Sequence, residues 1–306
     1  LETVVVTGGL LRAGTAGYQE RYLPALAEGS LQGALAHGEP NKHRSLANVE
    51  TRAVRVDGGF ELSGSKAVVL NGSAADLFIV SARTSGQPGD IAGVTMFAVP
   101  ADAPGLTRRD YRTYDDRRAC DLSFSRVVVP SEAVVGERDD ADGTLGPVSD
   151  LAQLAACAEA VGAMDALLEA TVDYTRQRVQ FGQALSQFQV LRHRMVDMYI
   201  HTELARSLLL ASAALLDEGA EEGPRLVSAL KARTVKAGRF VSQNAVQLHG
   251  GIAMTDELKV GHYFKRLTML ESFFGNRDYH IQCFIEADKA AASALADAPH
   301  RSSTAA

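Results

Sequence analysis

The chain has 306 residues, 46% of them hydrophobic, with a net charge of −6. A chain of this length buries about 75% of its unfolded surface, which excludes a disordered or fibrous protein and allows one large domain or two smaller ones. Nucleic-acid binding is also excluded as a reading, because it needs clustered cations, and the short Lys42-His43-Arg44 run reads as a solvated loop.

The cysteines, Cys120, Cys157 and Cys283, lie far apart without a CxxC pair. This spacing supports neither a zinc site nor a disulfide framework and fits a reducing cytoplasm. The reading finds no run of eighteen apolar residues and no basic-then-apolar leader, so it expects no membrane anchor.

Taken in order, residues 1–30 read as helix already under way at Leu1, which predicts a remnant of an N-terminal helical domain cut short. Residues 31–140 predict a β domain. There, TRAVRV and FELSGSK flank Asp57-Gly58-Gly59, the turn chemistry of a hairpin, and LFIVSAR, GVTMFAVP and CDLSFSRVVVP follow at short spacings. The pattern predicts a small antiparallel sheet or barrel.

After Pro147 the period changes to that of a helix. Leu151, Leu154, Ala158, Val161, Met164 and Leu168 trace one apolar face, and a second helix runs from Phe188 to about Leu216. A third carries Leu226, Leu230, Ala237 and Val241 and stops at Gly250-Gly251, as a glycine C-terminus predicts. Two more helical stretches, about 256–272 and 277–296, complete an up-and-down bundle over residues 147–300. The expected fold class is α+β.

Two motifs stand out within the bundle. In RVQFGQALSQFQ, residues 178–189, Arg178 sits beside the Phe181-Gly182 turn, where a guanidinium can grip a phosphate while backbone comes close. An arginine that merely balances a helix dipole explains that stretch equally well. In QLHGG, residues 247–251, Gln247 and the Gly250-Gly251 backbone can bond a polar ligand or simply end a helix.

Together and in this order the motifs resemble the acyl-CoA dehydrogenase family. YTRQRVQFGQALSQFQVLRHRMVDMYIHTELAR is similar to that family's Y-x(n)-R-x-x-F-G…FQ…(A/V)DM…AR helix pair, and QLHGGIAMTDELKVGHYFKR to its Q-x-x-GG-x-G-x-T-x-E-x-x-V…R segment. Asn71-Gly72 and SRVVVP at 125–130 fit its β domain. The resemblance implies the acyl-CoA dehydrogenase fold: a helical domain, a middle antiparallel β domain and a C-terminal four-helix bundle that builds the oligomer.

It further implies FAD held between subunits, with Arg178, Phe181, Gly182, Gln189, Gln247, Gly250 and Gly251 holding the adenosine-diphosphate part of a flavin whose ring lies in the neighbour. Ala253 replaces a usual glycine in this set. The implied partners are a homologous catalytic subunit, an electron-transfer flavoprotein and an acyl-CoA substrate.

The elements for a flavin ring of its own are altered. GEPNKHRS at 38–45 stands where the family has T-E-P-x-x-G-S-D; Glu39-Pro40 remain, while Lys42 and His43 crowd the place of a permissive glycine. Val68-Val69-Leu70 replace a W-I-T segment, losing a stacking face and a hydroxyl. At the family's Y-E-G-T turn, whose Glu is the catalytic base, Phe274 occupies the Glu position.

Members that place the base on the first bundle helix have an E-R pair, which here falls at about Ala152 and Gln153. No residue of this chain is therefore assigned a catalytic role. Glu271 and Glu159 are the candidates for a relocated base. The resemblance favours a non-catalytic subunit of an α2β2 enzyme of the actinobacterial steroid-degrading kind. A self-sufficient flavoenzyme and a structural pseudoenzyme stay open as alternatives.

Overall fold

The structure, a computed structural model, describes residues 1–40 and 48–297. It divides into two compact units, Leu1–Ala155 and Ala156–Ala306.

The first unit opens with a wide helical turn, Glu2–Gly8, which leads into the short α1 (Gly9–Leu11) and then α2 (Ala16–Glu28). An eight-stranded sheet follows: β1 Gly33–Ala36, β2 Arg52–Val56, β3 Gly59–Leu70, β4 Leu77–Arg83, β5 Val94–Pro100, β6 Leu106–Arg112, β7 Arg118–Pro130 and β8 Val134–Val135. The strand order is β6-β7-β3-β2-β4-β5-β8, with β1 beside β4.

The hairpin read at Asp57-Gly58 is present, with Val56 opposite Gly59 and Gly58 at φ 79°. The sheet is not purely antiparallel, however. β1 runs parallel to β4, pairing Gly33 with Leu77 and Ala36 with Val80. A parallel pair needs a long crossover, and residues between β1 and β4 supply it with the β2–β3 hairpin. Phe60 and Phe97, at 5.2 Å between ring centres, anchor a core with Leu62, Phe78, Leu122 and Val129.

α3 (Ala141–Gln177) begins in the first unit and continues into the second. It starts before Pro147, where the sequence places its start, so the proline sits inside the helix. Its N–H would have bonded the carbonyl of Gly143, and that one bond is lost without ending the helix. α3 is apolar and long enough to cross a membrane, with a window of mean hydropathy 1.4, but 50% of that window is buried inside the structure. A soluble core helix has the same signature.

The second unit continues with a small hairpin, β9 Val179–Gln180 and β10 Gln183–Ala184. α4 (Gln189–Asp217), α5 (Gly223–His249), α6 (Lys259–Glu271) and α7 (Arg277–Asp297) follow. α5 is the central element. Val227, Leu230, Val241, Ala245 and Leu248 recur at helical steps and are buried, and α4, α6 and α7 pack around them.

Candidate functional site

The two glycine motifs meet at one end of the second unit. Arg178 N–H bonds Tyr174 O at 2.9 Å to close α3, and Leu185 N–H returns to Arg178 O at 2.9 Å across the hairpin. The Tyr174 ring stacks on His249 at 4.5 Å, which locks the C-terminus of α3 beside that of α5. His249 is buried, and its Nδ1–H donates to Ala245 O at 2.8 Å. His249 is thus a packing histidine.

Arg178, Phe181, Gly182, Gln189, Gln247, Gly250 and Gly251 are all exposed. The hairpin turn places Phe181 at φ 55° and Gly182 at φ 81°. Left-handed backbone suits glycine and is uncommon for an aromatic residue. Phe181 is nevertheless 92% exposed, edge-on to Phe188 at 6.2 Å between ring centres.

A Cβ on Gly182, Gly250 or Gly251 would meet nothing within 4 Å. Gly182 and Gly250 (φ 69°) are explained by their backbone, whereas Gly251 has neither positive φ nor a crowding neighbour. Nothing among the described residues requires glycine there. A bare backbone, a guanidinium, two amides and an uncovered aromatic fit a phosphate-bearing, flat-ringed group approaching from outside.

The turn at residue 274 is equally well built but carries no acid. Phe274 lies at φ 51° and Gly275 at φ 110°, and Phe273 packs edge-on against Phe274 at 4.6 Å. His280 Nε2–H donates to Phe274 O at 3.0 Å, so its Nδ1 accepts the Ser228 hydroxyl at 3.4 Å. Burial pushes His280 down to about 4, aided by Lys231 nearby, so the ring is neutral. Lys231, itself pushed down to about 8 by burial, donates to Leu270 O. Two buried bases on or against α5 therefore hold this turn; the sequence pattern gave no sign of them.

Neither candidate for a relocated base is unengaged. Glu159 takes Arg266 in a fork at 2.7 and 2.8 Å, and Glu271 takes Arg239. Ala152 is fully buried, and Gln153 beside it bonds Ser149 Oγ at 3.2 Å. Asp150, which sequence reasoning missed, is half-buried and pushed up to about 6 by burial. An acid before an apolar helical run was the only signal for it.

In the β domain, Glu39 accepts N–H from Glu50 and Thr51, each at 2.9 Å, and Lys66 Nζ at 2.8 Å. Lys66 is fully buried and also donates to Ser81 Oγ at 3.1 Å and His37 O at 3.2 Å. Burial pushes Lys66 down to about 8 and works to raise Glu39, but Lys66 and the two N–H groups hold Glu39 low. The retained Glu39 is thus tied to Glu50, Thr51 and Lys66. The crowding expected from Lys42 and His43 falls outside the described residues.

Val68, where the family pattern has a tryptophan, is 42% exposed at φ 52° in a bulge between Lys66 and Val69. A β-branched residue in left-handed backbone is strained. Val69 is buried, so no aromatic face is offered from this segment.

Comparison with known proteins gives the family. Residues 34–127 match the acyl-CoA dehydrogenase middle domain and residues 150–287 the acyl-CoA dehydrogenase C-terminal domain. The chain is 31% identical over 281 residues to 2-methylacyl-CoA dehydrogenase, mitochondrial, of Solanum tuberosum, covering 91% of this chain and 68% of that protein. The structure of butyryl-CoA dehydrogenase from Megasphaera elsdenii superposes with a TM-score of 0.88 at 28% identity, covering 94% of this chain and 76% of that one. An FAD complex of PigA shares the fold, with a TM-score of 0.89 at 24% identity, covering 94% and 76% of the two chains. The chain belongs to the acyl-CoA dehydrogenase family.

Proposed function

We propose that this chain is the non-catalytic subunit of a heteromeric, FAD-dependent acyl-CoA dehydrogenase. One contrast carries the reading: the edge formed by Arg178, Phe181-Gly182, Gln247 and Gly250-Gly251 is exposed and, apart from Ala253, keeps the residue types of the family pattern, while the base position holds Phe274. Glu159 and Glu271 are tied to arginines, so they do not replace that base.

FAD, when bound, supplies the electron acceptor for α,β-desaturation of an acyl-CoA thioester. Within this chain Arg178 would hold the diphosphate, Gln247 and the bare Gly250-Gly251 backbone the adenosine side, and Phe181 would cover a flat face. Gln189, exposed at the start of α4, completes the set. The His280–Ser228 pair and Lys231 keep the 274 turn shaped without supplying a base. The partner subunit supplies the carboxylate, the ring-lining loop and the acyl pocket.

In this reading the acyl group is bulky and steroid-derived, electrons leave to an electron-transfer flavoprotein, and the α2β2 assembly works in the cytoplasm. Residues 31–140 would be its β domain and residues 147–300 its bundle.

The decisive experiment measures flavin per chain for the protein purified alone and co-expressed with a homologous dehydrogenase subunit. About half a flavin per chain, found only in the complex and lost in Arg178→Ala, is the expected result. A full flavin in the chain alone overturns it.

A second reading, a self-sufficient dehydrogenase, has one observation in its favour. Asp150 is a carboxyl pushed up to about 6, near the range suited to a general base.

A further inference from the structure

The outer side of α4 and its seam with α5 combine two features that no internal contact explains. Val196, Ile200 and Leu204 recur along α4 and are 54%, 47% and 52% exposed. Tyr199 and Leu210 extend the same apolar face at 54% and 64%. Alongside lies the seam, where α4 brings Arg194, Asp197 and His201 and α5 brings Arg233, Lys236, Phe240 and Asn244. Its antiparallel register is fixed by three contacts: Arg194 Nη1 to Asn244 Oδ1 at 3.4 Å, His201 against the Phe240 ring at 4.4 Å, and Arg233 Nη2 to His201 Nδ1 at 3.3 Å.

Charge along the seam is net positive, three cations against Asp197. Among the described residues Arg194, Arg233 and Lys236 form no ion pair, and Asp197 is the acid acting on His201. Burial first, then Arg233 and Lys236, hold His201 below its ordinary value. His201 therefore stays neutral, and its Nδ1 accepts the Arg233 N–H rather than competing with it. Elsewhere this chain pairs its arginines freely, as Arg266 with Glu159, Arg206 with Asp165 and Arg225 with Asp288 show.

An exposed apolar stripe beside unpaired cations has the composition of an interface with a charge preference. A twofold dimer presents the same patch from both copies, so self-pairing through this seam sets cation against cation. Like charges brought together with water excluded oppose association. An acidic counterpart removes that opposition.

We propose that the α4–α5 seam selects a subunit of the same fold whose equivalent seam carries carboxylates, and disfavours a second copy of this chain. The inference rests on the heteromeric reading and names the chemistry of the partner's face. Arg233 and Lys236 are its discriminating residues, with the apolar stripe supplying most of the contact area.

The test uses this chain as its own surrogate partner. R233E/K236E puts carboxylates on the seam and disturbs no internal ion pair. Association is measured by sedimentation for wild type alone, for R233E/K236E alone and for a 1:1 mixture with one species labelled. The mixed pair is expected to associate at least tenfold more tightly than either self-pair at low ionic strength, and to lose the advantage near 1 M salt, where the screening length is about 3 Å.

A mixed pair no tighter than the self-pairs overturns the proposal, as does a wild-type self-pair of equal strength. If R233E/K236E melts early, R233Q/K236Q substitutes for it. Neutralising the cations should then strengthen self-association, and an unchanged self-association constant refutes the idea. Flavin content separates this from the functional reading: charge-selective pairing by a chain that binds a full flavin alone would leave the seam standing and the heteromeric assignment fallen.

Discussion

Residue 274 shows how far a single position can be read. Counting from Gln247 placed a phenylalanine where an acid belongs, and the structure gives it left-handed backbone, φ 51°, within a turn that His280 and Lys231 hold. Sequence showed the phenylalanine but not the clamp, because Ser228, Lys231 and His280 come together only once α5 and α7 pack.

The clamp has a pH signature. His280 is lowered from 6.5 to about 4 on folding, so between those values the unfolded chain binds more protons. Stability therefore falls as pH drops from 6.5 to 4, by up to about 3 kcal/mol from this group. Urea midpoints measured across that range should lose most of this slope in His280→Gln; an equal slope in both proteins would refute the assignment. Phe274→Glu alone should restore no dehydrogenation, because Val68-Val69 still offer no stacking face, and steady-state turnover with an artificial electron acceptor checks this.

At the scale of elements, legibility followed burial. β4, LFIVSAR, is buried along its whole length and was read with its bounds intact. β6, LTRRDYR, was missed: as an edge strand it is mostly exposed and charged, the device by which sheets avoid edge-to-edge pairing. α3 was read late because Pro147 resembles a helix start, whereas the preceding turns hold the helix through it.

Lys66 ties β3 to β4 and to the end of β1 through Ser81, His37 and Glu39, a link no strand pattern reveals. Removing one partner of a buried ion pair leaves the other uncompensated, so Lys66→Met should cost about 3–5 kcal/mol. Glu39→Gln in the same chain should recover part of that loss. Denaturant midpoints for the single and double variants measure the coupling, and simple additivity would show that the two side chains are not one unit. The bulge at Val68 stores strain of the opposite sense. Val68→Gly should raise the melting temperature, since left-handed backbone costs a non-glycine residue about 1–2 kcal/mol.

For the whole molecule, the family was legible from two glycine motifs and the order of its elements, because those motifs depend on local backbone geometry that sequence states directly. Whether the flavin site is divided between subunits is a different kind of property, since one chain shows only what it offers. Mass action can separate the readings. A ligand that binds the folded state stabilises it by RT ln(1 + [L]/Kd), about 2.7 kcal/mol at a hundredfold excess over Kd. An edge consisting of Arg178, Gln247 and bare glycine backbone, without the ring-binding half, should hold FAD too weakly to produce such a shift. The isolated chain should therefore melt at the same temperature with and without FAD, while its complex with a catalytic subunit gains several degrees and loses them in Arg178→Ala. A stabilising shift in the isolated chain would mean that both halves of the site lie in one subunit, and Asp150 would then be the first carboxyl to replace.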